Sequence, residues 1–164
     1  MTRIGLLSDT HGYLDKSVFT HFDQCDEIWH AGDFGNIAVA EALAKFKPLK
    51  GVYGNIDGQD IRADFPEHSR FTCEEVDVWI THIGGYPGRY SPGVKAAIQQ
   101  APPKLFICGH SHILKVMFDQ KLQCLHLNPG AAGKQGWHKV RTLLRFSIDG
   151  NRIEDLNVVE LANR

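Results

Sequence analysis

The stretch Arg3-Ile4-Gly5-Leu6-Leu7-Ser8-Asp9-Thr10-His11 decides the fold. Arg3–Ser8 is a short, largely apolar run, as expected of a buried strand. It ends on an aspartate and a histidine, two residue types that ligate metal ions. The same arrangement recurs along the chain. Glu27–His30 reads as a second strand, followed by Gly32-Asp33. Leu49–Tyr53 reads as a third, followed by Gly54-Asn55. Val76–Thr81 leads into His82, and Leu105–Cys108 leads into Gly109-His110-Ser111-His112. In open α/β sheets, ligands bind beyond the carboxyl ends of the strands. Five such ends here carry two aspartates, four histidines and one asparagine, enough for two metal ions sharing one carboxylate.

The segments between these strands set the topology. Leu14, Val18 and Phe22 recur at helical spacing around Asp15–Asp23. Val39, Leu43 and Phe46 form a second stripe, closed by Pro48. Strand–helix alternation argues for parallel pairing with right-handed crossovers. The pattern then changes. Arg70–Cys73 and Val76–Thr81 lie too close for an intervening helix and predict a hairpin around Glu74-Glu75. Val94, Ala97, Ile98 and Ala101 mark one more amphipathic helix, stopped by Pro102-Pro103. Lys115–Asp119, Leu122–Leu127, Arg141–Ile148 and Arg152–Val158 read as strands, the last pair joined at Asp149-Gly150, a strong hairpin signal. The second half therefore reads as mostly antiparallel. Two sheets packed face to face, with helices outside, satisfy both halves.

At 164 residues the chain is expected to be one domain, 1–164, and its 43% hydrophobic content suffices for a core. Eighteen Lys and Arg against nineteen Asp and Glu leave a formal charge of −1, so nothing attracts nucleic acid or an anionic membrane in general. No run approaches the roughly 18 apolar residues of a membrane span, and Met1–Leu7 lacks the make-up of a secretory leader. Cys25, Cys73, Cys108 and Cys124 show no C-x-x-C spacing. Free, mostly buried thiols in a cytoplasmic protein are the expectation.

Carboxylates with imidazoles suit manganese, iron, zinc, nickel or cobalt, whereas calcium and magnesium sites rarely use four histidines. In two-metal hydrolases the ions sit ~3.5–4 Å apart. A bridging ligand must hold cations that close together, and Asp33 is the candidate. Solvent between such ions ionises near neutral pH.

The order D-x-H, G-D, G-N, lone H, G-H-x-H resembles the signature of calcineurin-like metallophosphoesterases, and it runs from Asp9 to His112. The length and the later Asn128-Pro129-Gly130 resemble the small bacterial and archaeal phosphodiesterase branch. The resemblance implies a four-layer α/β/β/α sandwich of two mixed sheets with flanking helices. It implies that Asp9, His11, Asp33 and His112 hold one metal, and that Asp33, Asn55, His82 and His110 hold the other. It implies two divalent transition metal ions, manganese first, with nickel, iron, zinc or cobalt as alternatives. The implied reaction is attack of hydroxide from a two-metal centre on the phosphorus of a small phosphate ester, a diester before a monoester. Stable nucleic-acid binding and membrane association are not expected, and a homo-oligomer stays open.

Two departures stand out. Many relatives carry a histidine after G-N that is thought to protonate the leaving group; this chain has Ile56, then Asp57. Protonation then falls to water, to Asp57 or to another group, and unactivated esters should turn over modestly. In much of the branch a second histidine lies two residues after the lone one; here Gly84 stands there, followed by a loop with Tyr86, Arg89 and Tyr90. Arg89 is a candidate for binding the substrate phosphate, since a guanidinium makes two parallel hydrogen bonds to it. Asp57 could equally be a turn aspartate, and Arg89 a solvated one. His21, His30, His68 and His126 read as structural, as does His138 in a turn; His30 and His126 lie nearest the site loops, and support of the ligands is the lesser alternative for these two. The rival class is an interaction module: a eukaryotic retromer subunit has this small fold, works mainly as a scaffold and has lost some ligand residues, whereas all seven are kept here. A phosphomonoesterase or a hydrolase of short or cyclic nucleotides is the other alternative.

Overall fold

The computed structural model describes residues 1–164. The elements in chain order are β1 (Thr2–Leu7), α1 (Ser17–His21), β2 (Glu27–His30), α2 (Ile37–Phe46), β3 (Leu49–Gly51), α3 (Gln59–Asp64), β4 (His68–Cys73) and β5 (Val76–Thr81). There follow β6 (Gly85–Tyr86), β7 (Arg89–Tyr90), α4 (Pro92–Gln100), β8 (Leu105–Ile107), β9 (Leu114–Asp119), β10 (Cys124–Pro129), β11 (Val140–Asp149) and β12 (Arg152–Asn163).

Two five-stranded sheets result, ordered β12-β11-β1-β2-β3 and β4-β5-β8-β10-β9. Both are mixed. In the first, β1, β2 and β3 are parallel while β11 and β12 are antiparallel. In the second, β5, β8 and β10 are parallel and the outer strands β4 and β9 run against them. The C-terminal half is thus less antiparallel than its sequence suggests. The α4 crossover returns the chain parallel between β5 and β8. Strand β9 takes the sheet edge outside β10, which leaves β10 parallel to β8.

Three apolar clusters separate four layers. Ile4, Leu6, Trp29, Val78, Ile80, Ile107, Leu127 and Phe146 fill the space between the sheets. Val18, Phe22, Val39 and Leu43 seat α1 and α2 on the outside of the first sheet, against Leu7, Ile28 and Leu143. Val94 and Ile98 seat α4 on the outside of the second, against Trp79, Phe106 and Cys124. This is the α/β/β/α sandwich. Helix α2 starts as its sequence demands: the Asn36 side chain accepts from Val39 N at 3.1 Å. All four cysteines are buried and unpaired. No helix is long and apolar enough to cross a membrane.

Candidate metal centre

Parallel pairing brings the ligand loops together. Beyond the β1–β2 register of Leu7 opposite His30, the two loops keep bonding: Asp9 N to Gly32 O at 2.9 Å, His11 N to Asp33 O at 3.0 Å and Gly12 N to Phe34 O at 2.8 Å. In the second sheet, Gly109 N bonds His82 O at 3.0 Å, just past the parallel ends of β5 and β8. Both sheets therefore deliver their carboxyl ends to one place.

There Asp9, His11 and His112 converge, and beside them Asp33, His82 and His110, each set with its ligand atoms within 4.8 Å of one another. The sets adjoin. Asp9 Oδ1 lies 3.2 Å from His112 Nε2, 3.6 Å from His11 Nε2 and 3.8 Å from His82 Nε2. Asp33 Oδ2 lies 3.1 Å from His82 Nε2 and 3.5 Å from His11 Nε2. Asp33 thus faces a histidine of each set, as Asp9 does at the longer distance to His82. Asn55 Oδ1 is 3.0 Å from His110 Nδ1. All seven predicted ligands meet.

The backbone is bent to achieve this. Asp9, His11, Asp33, His110 and His112 all have positive φ, between 47° and 70°, and they make up five of the eight non-glycine residues in that region. Such residues cost of order 1–3 kcal/mol each and persist where the surroundings over-determine them. Close approach explains the neighbouring glycines. A Cβ on Gly54 would sit 2.7 Å from Asp33 Cγ, and one on Gly109 would sit 2.6 Å from Asp9 Oδ2.

Around the ligands lies a set of orienting bonds. Asp9 Oδ2 accepts from Ser8 Oγ at 2.6 Å and from His110 N at 3.1 Å, leaving Oδ1 free toward the centre. Asp33 Oδ1 accepts from Ile56 N at 3.0 Å. His82 Nδ1 donates to Ala31 O at 2.7 Å, which fixes the tautomer with a lone pair on Nε2. His30 accepts from Gly32 N at 3.0 Å and meets Thr10 Oγ1 at 3.1 Å, while its ring stacks on Phe34 with centroids 3.7 Å apart. It braces the first two ligand loops without reaching a ligand. Burial pushes its pKa down to about 3, so it is neutral. Asn128 binds Gly109 O and Ser111 Oγ and so shapes the His110 loop.

Charge follows from this crowding. Burial alone would raise the Asp9 pKa, but the imidazoles of His11 and His112 hold its carboxyl well below the usual range. Burial likewise opposes ionisation of Asp33, and His82 outweighs it. The carboxylate of Asp9 raises His11. His82 is raised by Asp33 and Asp9 against its own burial. His110 is lowered by burial. Both carboxylates are therefore anionic, as ligands must be.

The fit to metal ions rests on three atoms. Asp9 Oδ1, His11 Nε2 and His82 Nε2 are buried and have no hydrogen-bond partner. Stranding a buried polar atom costs about 1–3 kcal/mol. Three of them from both ligand sets, pointing at one another across 3.1–3.8 Å gaps to carboxylate oxygens, suit coordinated cations.

Two predicted residues stand apart. Asp57 is 4% exposed, and its carboxylate accepts from Phe34 N at 3.2 Å, Gly35 N at 2.9 Å and Gly54 N at 2.8 Å. Its oxygens are committed to these backbone donors and are not aimed at a leaving group. Arg89 is exposed on β7 and borders a cleft with Lys95, Gln99 and Asp119, which holds none of the ligands. Its predicted place at the substrate phosphate is not the one the structure gives it. Conversely, His138, read as a turn residue, packs edge-on against His112 with centroids 5.2 Å apart and bonds Gly133 O at 2.8 Å. Nothing in its local sequence marks it; the long return of the chain after β10 places it there. Ser8 was readable as a strand end only.

Comparisons with known proteins bear on the family and the fold. A family model described as the calcineurin-like phosphoesterase superfamily domain matches residues 2–151. A probable metallophosphoesterase of Methanocaldococcus jannaschii is 27% identical over 134 residues, covering 78% of this chain and 67% of that protein. Among solved structures, an archaeal phosphodiesterase superposes with a TM-score of 0.74 at 20% identity, over 97% of this chain and 99% of its own. Vps29 of Chaetomium thermophilum superposes with a TM-score of 0.77 at 15% identity, over 98% and 97%.

Proposed function

The chain belongs to the calcineurin-like phosphoesterase superfamily, and we propose from that premise that it is a two-metal phosphodiesterase acting on small phosphate diesters. The observation that carries the reading is the set of buried, partnerless atoms of Asp9, His11 and His82 converging from two adjoining ligand groups. Asp9, His11, Asp33 and His112 would hold one ion and Asp33, Asn55, His82 and His110 the other, with Asp33 shared. We take manganese as the resident metal; nickel, iron, zinc and cobalt suit the same donors. When bound, two such ions ionise water near neutral pH and neutralise charge developing on the phosphoryl oxygens.

The side chains do the rest. Asn55 can offer its amide oxygen to a cation and its NH2 to a phosphoryl oxygen. His82, locked by Ala31 O, presents Nε2 without a change of tautomer. Asp9, tied by Ser8 and His110 N, keeps one oxygen on the centre. Ile56, exposed beside Asn55, offers no proton. Leaving groups therefore depart unassisted or with water, which favours acidic alcohols such as phenols.

The test combines metal analysis with hydrolysis of bis(p-nitrophenyl) phosphate by wild type and Asp33→Asn. The expected result is loss of both metal and turnover in the variant. Equal metal content and equal turnover in the two proteins would defeat the assignment.

A scaffold role is the second reading, favoured by one observation. Val116, Met117 and Phe118 are exposed together on β9, an edge strand with an unpaired side. Metal-loaded protein with no hydrolysis of any ester would move the balance to it.

A further inference from the structure

Ile83 directly follows the ligand His82 and is 45% exposed. It stands as a ridge between two clefts. One, of about 250 Å³, is bordered by Tyr53, Asn55, Arg62, Glu67 and His82. The other, of about 140 Å³, is bordered by Tyr86, His110, Ser111, Lys115 and His126. Ile83 lines both. Each cleft has ligands of the Asp33–His82–His110 neighbourhood in its wall, so both start at one centre and diverge around Ile83.

The clefts differ in charge. In the larger, Arg62 is already engaged: its guanidinium lies over the Tyr53 ring at 4.3 Å and its Nε donates to Asp57 O at 2.7 Å, and the Glu67 carboxylate in the same lining offsets its charge. In the smaller, Lys115 Nζ lies 4.1 Å over the Tyr86 ring and pairs with no carboxylate. His126 behind it is buried and kept neutral, with a pKa lowered by burial to about 4. That cleft holds one uncompensated cation, an aromatic wall and the Ser111 hydroxyl. A cation with no anionic partner in a small concave site is a recognition element for an anion.

Resting on the two-metal ester-hydrolase reading, we infer that the substrate is an asymmetric diester: one uncharged substituent lies on the Arg62 side of Ile83, and a small substituent bearing a second anionic group, phosphate or carboxylate, lies on Lys115. Neither charge nor shape demands two clefts for a monoester, which has one substituent to place.

The test uses metal-loaded wild type, Lys115→Met and, as a control for net charge, Lys45→Met on the exposed side of α2. Substrates are bis(p-nitrophenyl) phosphate, carboxymethyl p-nitrophenyl phosphate and 2-phosphoethyl p-nitrophenyl phosphate. Loss of the charge-assisted contact should lower kcat/KM for an anionic-arm diester about ten-fold further than for bis(p-nitrophenyl) phosphate, with the effect in KM. Lys45→Met should leave that ratio at the wild-type value. A ratio that moves only with the phosphate arm marks a phosphate site, and one that moves with both marks a general anion site. Calorimetry adds a readout without turnover: methylenediphosphonate should bind Lys115→Met about ten-fold more weakly, by the same contact, while methylphosphonate shifts less. Unchanged ratios with intact hydrolysis of bis(p-nitrophenyl) phosphate would overturn this inference alone. Metal-loaded wild type without any hydrolysis would overturn the underlying function, and equal diphosphonate binding by both proteins would still sink the anion site.

Discussion

Replacing Asp57 separates two roles that a carboxylate beside a metal ligand can have. Its oxygens receive three backbone N–H groups: Phe34 and Gly54 at Oδ2, Gly35 at Oδ1. Asp57→Ala strands all three. The Gly35 contact is only part-buried and can rehydrate, but the other two are buried. At about 1–3 kcal/mol per stranded buried donor, the variant should lose about 4 kcal/mol. At ~2–4 °C per kcal/mol for a chain of this size, Tm should fall by about 8–16 °C. Asp57→Asn keeps one oxygen for Phe34 and Gly54 and turns an NH2 against Gly35 N, so about 1–2 kcal/mol is expected. Because Ile56 N also holds Asp33 Oδ1, loosening this loop should weaken the Asn55–Asp33 metal before the other. Thermal melts with and without metal, together with rates on esters of graded leaving-group acidity, decide the matter. A bracing residue lowers Tm and slows all esters alike. Refutation would be Asp57→Asn with Tm within about 2 °C of wild type and a rate loss confined to poor leaving groups, the signature of a proton donor.

Three further outcomes follow from the geometry. His30 and His126 titrate in the fold at about 3 and about 4, below the 6.5 of a free imidazole. The unfolded chain therefore takes up these protons first: stability is intact above pH about 6.5 and declines as pH falls toward 3–4. Denaturant titrations across that window should show it, and His126→Gln should flatten the slope between pH about 6.5 and 4; an unchanged slope would show that His126 does not contribute. Gly54→Ala drives a methyl into the Asp33 carboxylate; about 1–3 kcal/mol of stability and at least one metal ion per chain, by elemental analysis, should be lost. Arg89→Ala should leave KM and kcat for bis(p-nitrophenyl) phosphate at wild-type values, because Arg89 borders a cleft without ligands.

The reason some features were legible and others were not is physical. Ligand loops could be read because each follows a strand, and parallel strands must end side by side; the bonds from Asp9 to Gly32 and from Gly109 to His82 are that rule carried two residues past the sheet. Strand and helix types followed from apolar periodicity, and α2 and α4 ended where Pro48 and Pro102 said they would. Helix α3 escaped because six residues with only Ile61 buried leave no periodic trace. The β6–β7 hairpin escaped because its strands are two residues long, although Pro87-Gly88 is a turn signal. The direction of β10 could not be read locally, since it depends on β9 taking the outside position.

Asp57 shows where local reading ends. A carboxylate two residues after a metal ligand has the same sequence whether it gives a proton or accepts three. What distinguishes the cases is the 31–36 loop arriving from another strand with its N–H groups turned toward Asp57, held there by His30 and by the positive φ of Asp33. The strain at the ligands and the anion that braces them are therefore parts of one arrangement. The left-handed turn at Asp33 aims its carboxylate at the centre, and the N–H groups of Phe34 and Gly35 that follow the turn find their acceptor in Asp57. A chain that spends its nearest carboxylate on holding the cage has none left to assist the leaving group, which is why chemistry here should depend on the acidity of the departing alcohol.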